Sequence, residues 1–355
     1  MVTRSPYTQG VESFGYRLTN EFSDDAIQWA RVMNPETRSR LERLHREWRE
    51  QNQERWRPED HDLDRMQHSL KIDAEKALEI IATLTPEQKI GQRFIVDRIQ
   101  KKAHRYSVCK QGRAHTSLGG VKREIRMTLS SNGERLFSVD IVNSQLAFLA
   151  SILSGEAKKF NNTPTQDRTK GNTSGLKIRG NGSDGVYSLY VARPSGTVRG
   201  ESGIENTTQD FIDLAASGQL YDELQRGTGL SRSRCKSQFM VDVLAKRGDY
   251  RRKEDLGKEP VESYFARRFP QVHRFIRRVN RDDHSILIRH LQRIESHFVI
   301  EVVCRLLLDR FPDAPIFTLH DALYTQASHI ENVEQAFRDA CEVTGVRLST
   351  TTEPA

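Results

Sequence analysis

Arg135-Leu-Phe-Ser-Val-Asp140-Ile-Val-Asn143-Ser144-Gln145-Leu-Ala-Phe-Leu-Ala-Ser-Ile-Leu153 is the stretch on which the reading of the fold turns. Arg135 to Ile141 reads as a short buried strand that ends in a carboxylate. Asn143 then starts a compact apolar helix, Gln145 to Leu153. A second stretch of the same kind is Ile316-Phe-Thr-Leu-His320-Asp321-Ala-Leu-Tyr-Thr325, two short strands meeting at His320-Asp321.

Both stretches place an aspartate at a strand end inside apolar sequence, where a carboxylate is costly to bury unless it meets a cation. Brought together, the two would repel and raise one pKa unless divalent metal held both. Two carboxylates bridging two Mg²⁺ ions ~3.5–4 Å apart suit in-line phosphoryl transfer. On spacing alone, a pair of ordinary turn or cap aspartates is the competing reading.

Working outward, residues 24–57 read as helical from a start at Asn34-Pro35-Glu36, with Leu41, Leu44 and Trp48 on one face. Arg38–Glu42, Arg43–Glu47 and Arg46–Glu50 are i,i+4 ion pairs along it. Pro58 to Asp64 reads as an acidic turn. Helix resumes from Asp73 to Arg105, with Ala77, Leu78, Ile80, Ile81 and Leu84 as buried positions. Gly155 to Glu205 holds nine of the 22 glycines and reads as a long insertion with a hairpin at Val186 to Ala192.

Further along, Asp210 to Leu224 is helical, and a Ser231–Arg234 turn leads into a helix from Lys236 to Lys246. A charged linker, Arg247 to Glu259, precedes helices at Val261 to Asn280 and Ile286 to Asp309. After the hairpin come an amphipathic helix, Ile330 to Val343, through Val333, Phe337 and Cys341, and a closing strand, Val346 to Thr350. This order is α+β.

The 355 residues are 36% hydrophobic and 29% charged, with net charge +7. Residues 97–135 hold ten Lys/Arg against three acids, and residues 226–253 hold nine against two. Two such zones point to a polyanion, most simply nucleic acid. The longest uncharged apolar run, Leu146 to Leu153, falls far short of the ~20 residues of a membrane span. No apolar signal core opens the chain, and four scattered cysteines (Cys109, Cys235, Cys304, Cys341) suit a reducing cytoplasm rather than a zinc or disulfide scaffold. Phosphate-loop, H-E-x-x-H and G-x-S-x-G motifs are absent.

Six short motifs then fall in one order. They are Gln111-Gly-Arg113-Ala-His-Thr-Ser with Arg126; Phe137-Ser-Val-Asp140 with its helix; Arg232-Ser-Arg-Cys-Lys236; Phe269-Pro-Gln-Val272; Leu291-Gln292-Arg-Ile-Glu-Ser; and Leu319-His320-Asp321. Together they resemble the polymerase core of family A DNA polymerases and the related single-subunit phage RNA polymerases, across roughly 60% of the chain.

The resemblance implies a right-hand fold of thumb, palm and fingers with a small antiparallel palm sheet and mostly helical surroundings. Residues 1–105 would be thumb-like, 106–154 the first palm part, 155–209 an insertion, 210–285 fingers-like and 286–355 the second palm part. Asp140 and Asp321 would hold two Mg²⁺ ions, with Mn²⁺ an acceptable substitute. One ion would activate the primer 3′-hydroxyl and the other stabilise the leaving pyrophosphate. Arg232 and Lys236 would neutralise the triphosphate, Gln145 and Met240 would line the nucleotide, and Arg113, Arg126, Gln292 and His320 would contact primer or template.

The implied activity is DNA polymerisation from dNTPs without a proofreading domain, on a template-primer, and the small size points to distributive synthesis or a helper protein. A cytoplasmic bacterial, phage or mobile-element setting goes with it. Gln145 stands where the DNA enzymes carry Glu, which leaves a bulky sugar filter. Met240 and Leu244 stand where an aromatic and a Tyr are expected, which implies weak base-pair checking. The alternatives are an RNA polymerase or primase of the same superfamily, a metal-dependent phosphohydrolase or nuclease, and an inactive nucleic-acid-binding relative.

Overall fold

The computed structural model describes residues 2–4, 16–18, 34–155, 202–245, 257 and 259–355. Its elements, in chain order, begin with β1 (Val2–Arg4), β2 (Tyr16–Leu18), α1 (Pro35–Gln53), α2 (Pro58–Met66), β3 (Leu70–Ile72), α3 (Ala74–Ala82) and α4 (Pro86–Gln100). Next come β4 (Ser107–Val108), β5 (Ala114–His115), α5 (Arg123–Arg126), β6 (Leu129–Ser131), β7 (Glu134–Ile141), α6 (Ser144–Ser154), α7 (Ser202–Ala216), α8 (Leu220–Thr228) and α9 (Arg232–Gln238). The remainder are α10 (Val261–Arg268), α11 (Pro270–Val279), α12 (Ile286–Ser296), α13 (Arg305–Arg310), β8 (Phe317–Leu319), β9 (Ala322–Gln326), α14 (Ile330–Thr344) and β10 (Thr350–Pro354). Two compact units result: Met1–Val139 with Leu307–Val333 and Thr352–Ala355, and Asp140–Leu306 with Glu334–Thr351.

The first unit carries a sheet in the order β3-β6-β7-β9-β8, with β10 also pairing β7. Asn132 and Gly133 take φ of +49° and +87°, the backbone that a two-residue hairpin requires, and set the antiparallel register Ser131↔Glu134 between β6 and β7. The β8–β9 hairpin closes through His320-Asp321 with Leu319 opposite Ala322. Ala77, Ile81, Val96, Ile99, Leu118, Ile125, Leu136, Phe317 and Tyr324 form this unit's core, and full burial of each large apolar side chain contributes ~1.5–3 kcal/mol.

The second unit is helical. Leu146 to Ile152 of α6 are buried without a break, and the ring of Phe298 meets that of Phe148 edge-on at 5.6 Å and that of Phe337 tilted at 6.3 Å. A second aromatic cluster joins Phe211, Phe239, Phe265 and Phe269. Gly227 lets α8 pass the ring of Tyr264, which a Cβ there would meet at 2.0 Å.

Several expectations need correcting. Pro58 to Asp64 is helix, not turn: Pro58 opens α2 at a position with no backbone donor to lose. The backbone N–H of Arg57 donates to Asp60 at 2.7 Å, so the acidic run is a first helical turn. The helix expected from Asp73 to Arg105 breaks before Pro86, and Leu78 is exposed. Leu41 and Leu44, on the apolar face of α1, are also exposed. Asp210 to Leu224 breaks at Gly218 (φ +76°), and Val261 to Asn280 breaks ahead of Pro270. The Ser231–Arg234 turn is the start of α9, with Ser231 as its cap. The closing strand lies at Thr350–Pro354 rather than at Val346 to Thr350. The start of α1 at Asn34 holds, its side chain accepting from the Thr37 N–H at 2.9 Å. The Val186–Ala192 hairpin lies outside the described residues, as does most of the 247–259 linker.

Candidate active site

Each expected site residue is placed by an identifiable local device. In the first unit, His320 takes a left-handed φ of +57°, rare for a side-chain-bearing residue, and turns the hairpin so that Asp321 stands half-buried in the turn just before β9. Asp321 accepts no hydrogen bond and makes no ion pair among the described residues. The His115 ring meets that of His320 edge-on at 5.9 Å, and the hydroxyl of Thr116 donates to the Thr318 carbonyl at 3.1 Å. Partial burial of its ring, then the charges of Arg113 and His115, hold the pKa of His320 below the ordinary histidine value.

Arg113 ends a tight loop in which the Cys109 N–H donates to the Arg113 carbonyl and Gly112 takes φ +78°. Arg126 faces inward: its Nε donates to the Val121 carbonyl at 2.9 Å and its Nη1 to the Tyr324 hydroxyl at 3.0 Å. Its Nη1 therefore ties α5 to β9, while its Nε closes the turn that leads into α5.

In the second unit, Asp140 lies one residue from the end of β7, half-buried. Asn143 is left-handed (φ +54°, ψ +47°) and its side-chain amide donates to the Gly218 carbonyl at 2.9 Å, which swings the chain into α6. The Ser144 hydroxyl donates to Glu295 Oε2 at 2.8 Å, both side chains being buried. Gln145 Oε1 is shielded from solvent with no hydrogen-bond partner among the described residues, a desolvation cost of about 1–3 kcal/mol that a bound donor would remove. Gln292 lies on α12, one turn before Glu295, half-buried.

Arg232 and Lys236 lie exposed on one face of α9, as their spacing predicts. Arg232 pairs with Asp222 at 3.0 Å and lies over the Tyr221 ring. Lys236 has no ion pair among the described residues. From Phe239 to Leu244 the helix widens into a π-turn, where each turn takes an extra residue. Counting by fours from Lys236 therefore fails beyond Gln238. Phe239, one step from the position where an aromatic is expected, is fully buried against Tyr221 and Phe265. Leu244 is buried too, and Met240 is half-buried.

No protein-family model matches the sequence, and no curated protein does. Among solved structures, the chain is similar to the POL domain of Pol1 from M. smegmatis in complex with DNA primer-template and dNTP. That match is 12% identical with a TM-score of 0.38, and it covers 75% of this chain and 50% of that one.

Sequence reading missed one buried group. Asp60 is fully buried and accepts from Arg57 Nε at 2.8 Å and from the Tyr106 hydroxyl at 2.6 Å. Arg57 Nη2 in turn donates to the Gly112 carbonyl at 2.8 Å. This paired charge holds the loop that presents Arg113. Its signal was Arg57-Pro58-Glu59-Asp60, an acid at the third position of a Pro-led helix.

Among the described residues no three His, Cys, Asp or Glu side chains gather as a metal cage. Asp140 and Asp321 are each carboxylates, hard oxygen donors of the kind that Mg²⁺ takes. Among the described residues no helix is long and apolar enough to cross a membrane.

Proposed function

We propose that the chain catalyses template-directed nucleotidyl transfer, extending a nucleic-acid primer from nucleoside triphosphates, with deoxynucleotides preferred. The observation that carries this reading is the state of Asp321, a half-buried carboxylate with no hydrogen bond or ion pair among the described residues, on a turn fixed by left-handed His320. A cation would be favoured beside such a group, and its neighbour His320 feels the charge of Asp321 together with those of Arg113, His115 and Arg126.

In this reading Asp140 supplies the second carboxylate and the pair holds two Mg²⁺ ions, with Mn²⁺ able to replace them. Bound there, the ions would polarise the primer hydroxyl and the phosphate oxygens. Arg232 and Lys236 present positive charge to the triphosphate, where charge grows in the transition state. Gln145 and Met240 line the nucleotide, Gln145 meeting the sugar. Arg113, Gln292, Arg126 and His320 position the primer end and template. Residues 1–105 serve as thumb, 106–154 and 286–355 as palm, and 210–285 as fingers.

A primer-extension panel tests the reading, with dNTPs or NTPs on DNA or RNA templates, in EDTA and after Mg²⁺ or Mn²⁺ is restored. Metal-dependent lengthening of the primer is expected. Shortening would replace the reading with a nuclease, and a mobility shift without extension would replace it with an inactive binding protein.

A further inference from the structure

Helix α11 sorts its arginines. Val272, Ile276 and Val279 face inward and are buried, which fixes the helix firmly on the second unit. Arg277 turns back, giving one hydrogen bond to the Asp242 carbonyl at 3.0 Å and an ion pair to Glu262. Arg274 and Arg278 are exposed on the outer face, and Arg281 follows in the turn after the helix, also exposed. None of these three has an ion pair or hydrogen-bonded acid among the described residues. Pro270 to Val279 contains no acidic residue.

Arg274 and Arg278 are four residues apart, about 6 Å along the axis, and Arg281 lies just past the helix end, where Asp282 and Asp283 follow it. Half-buried Phe275 lies beside them. A row of cations without ion pairs costs self-repulsion that a solvated, mixed-charge face avoids, whereas Arg277 on the same helix is neutralised by Glu262 of α10. This stripe lies outside both basic zones of the sequence, 97–135 and 226–253.

We propose that Arg274, Arg278 and Arg281 form a docking surface for the phosphodiester backbone of single-stranded nucleic acid, with half-buried Phe275 next to Arg274 in the helix. Cations that track a backbone beside an aromatic are the usual means of sequence-tolerant single-strand binding. This surface deepens the nucleic-acid reading and rests on it, yet its test involves no catalysis, so either can fail alone.

The experiment measures binding of the full chain to a fluorescent single-stranded oligonucleotide and to its duplex across a salt series, for the parent and for R274A/R278A/R281A. Each phosphate that is no longer neutralised lowers the slope of log K against log salt by about 0.7 for a single strand. A fall of about 2 in the single-strand slope is expected, with affinity down tenfold or more and duplex binding little changed. The lysine triple R274K/R278K/R281K should restore the slope, and an unchanged melting temperature would show that the variants fold. An unchanged single-strand slope overturns the proposal. An equal loss on the duplex overturns the single-strand assignment.

Discussion

The turn before β9 and the turn before α6 use the same backbone device and surround it differently. His320 and Asn143 both adopt left-handed φ, +57° and +54°, and each lies within three residues of a half-buried aspartate. Around His320 burial first, then the charges of Arg113 and His115, depress its pKa, against the charge of Asp321. Around Asn143 the neighbours are hydrogen-bonded scaffold: its amide is tied to Gly218, and Ser144 to Glu295. The first turn is built for charge and the second for rigidity. A substitution in the first should therefore appear in activity, and one in the second in stability.

The sharpest way to break this contrast is at the aspartates, where it should vanish. Asp321→Asn and Asp140→Asn should each lower primer extension by about 10²–10³-fold, the scale of losing one electrostatic partner of a transition state, with template affinity retained. A variant that extends normally removes its aspartate from the metal site. Asp60→Ala strands the Arg57 charge and should cost about 3–5 kcal/mol, read as a large fall in melting temperature. A small fall would mean that the buried network is dispensable.

On the scaffold side, Glu295→Ala leaves the Ser144 hydroxyl unpaired and should cost about 1–3 kcal/mol by denaturant titration. Loss of activity without loss of stability would move Glu295 into the chemistry. Lys236→Ala should raise the KM for nucleotide about tenfold, the effect of losing one charged hydrogen bond, while template affinity stays constant. Equal losses in both would place Lys236 on the template path.

The last effect is a pH dependence. Burial, then Arg293 and Arg289, lower the pKa of His290 to about 4, so it is neutral in the fold while the unfolded chain takes up a proton near 6.5. Stability should therefore fall as pH drops from about 6.5 to 4. His290→Asn should flatten that slope, and an unchanged slope would assign it to other groups.

The two aspartate stretches were legible because apolar residues enclose each one, and burial follows apolarity. The hairpin at His320-Asp321 and the helix after Asn143 stand where sequence placed them. What escaped reading depends on partners distant in the chain. Asp60 reads as a turn residue because Tyr106, 46 positions away, is what makes its burial tolerable. The π-turn at Phe239–Leu244 left no mark on composition, so helical counting carried Met240 and Leu244 past the point where the period changes. The outward face of α11 was invisible for a similar reason, since only geometry separates Arg277 from Arg274 and Arg278.

Gly218 takes φ +76°, and any Cβ there would come within 2.5 Å of Val142. Its carbonyl is also the anchor of Asn143. In a saturation mutagenesis screen this position should tolerate almost nothing, although it holds no reactive group. Intolerance there would report the mould in which the α6 junction is cast, and would be misread if every invariant site were taken for chemistry.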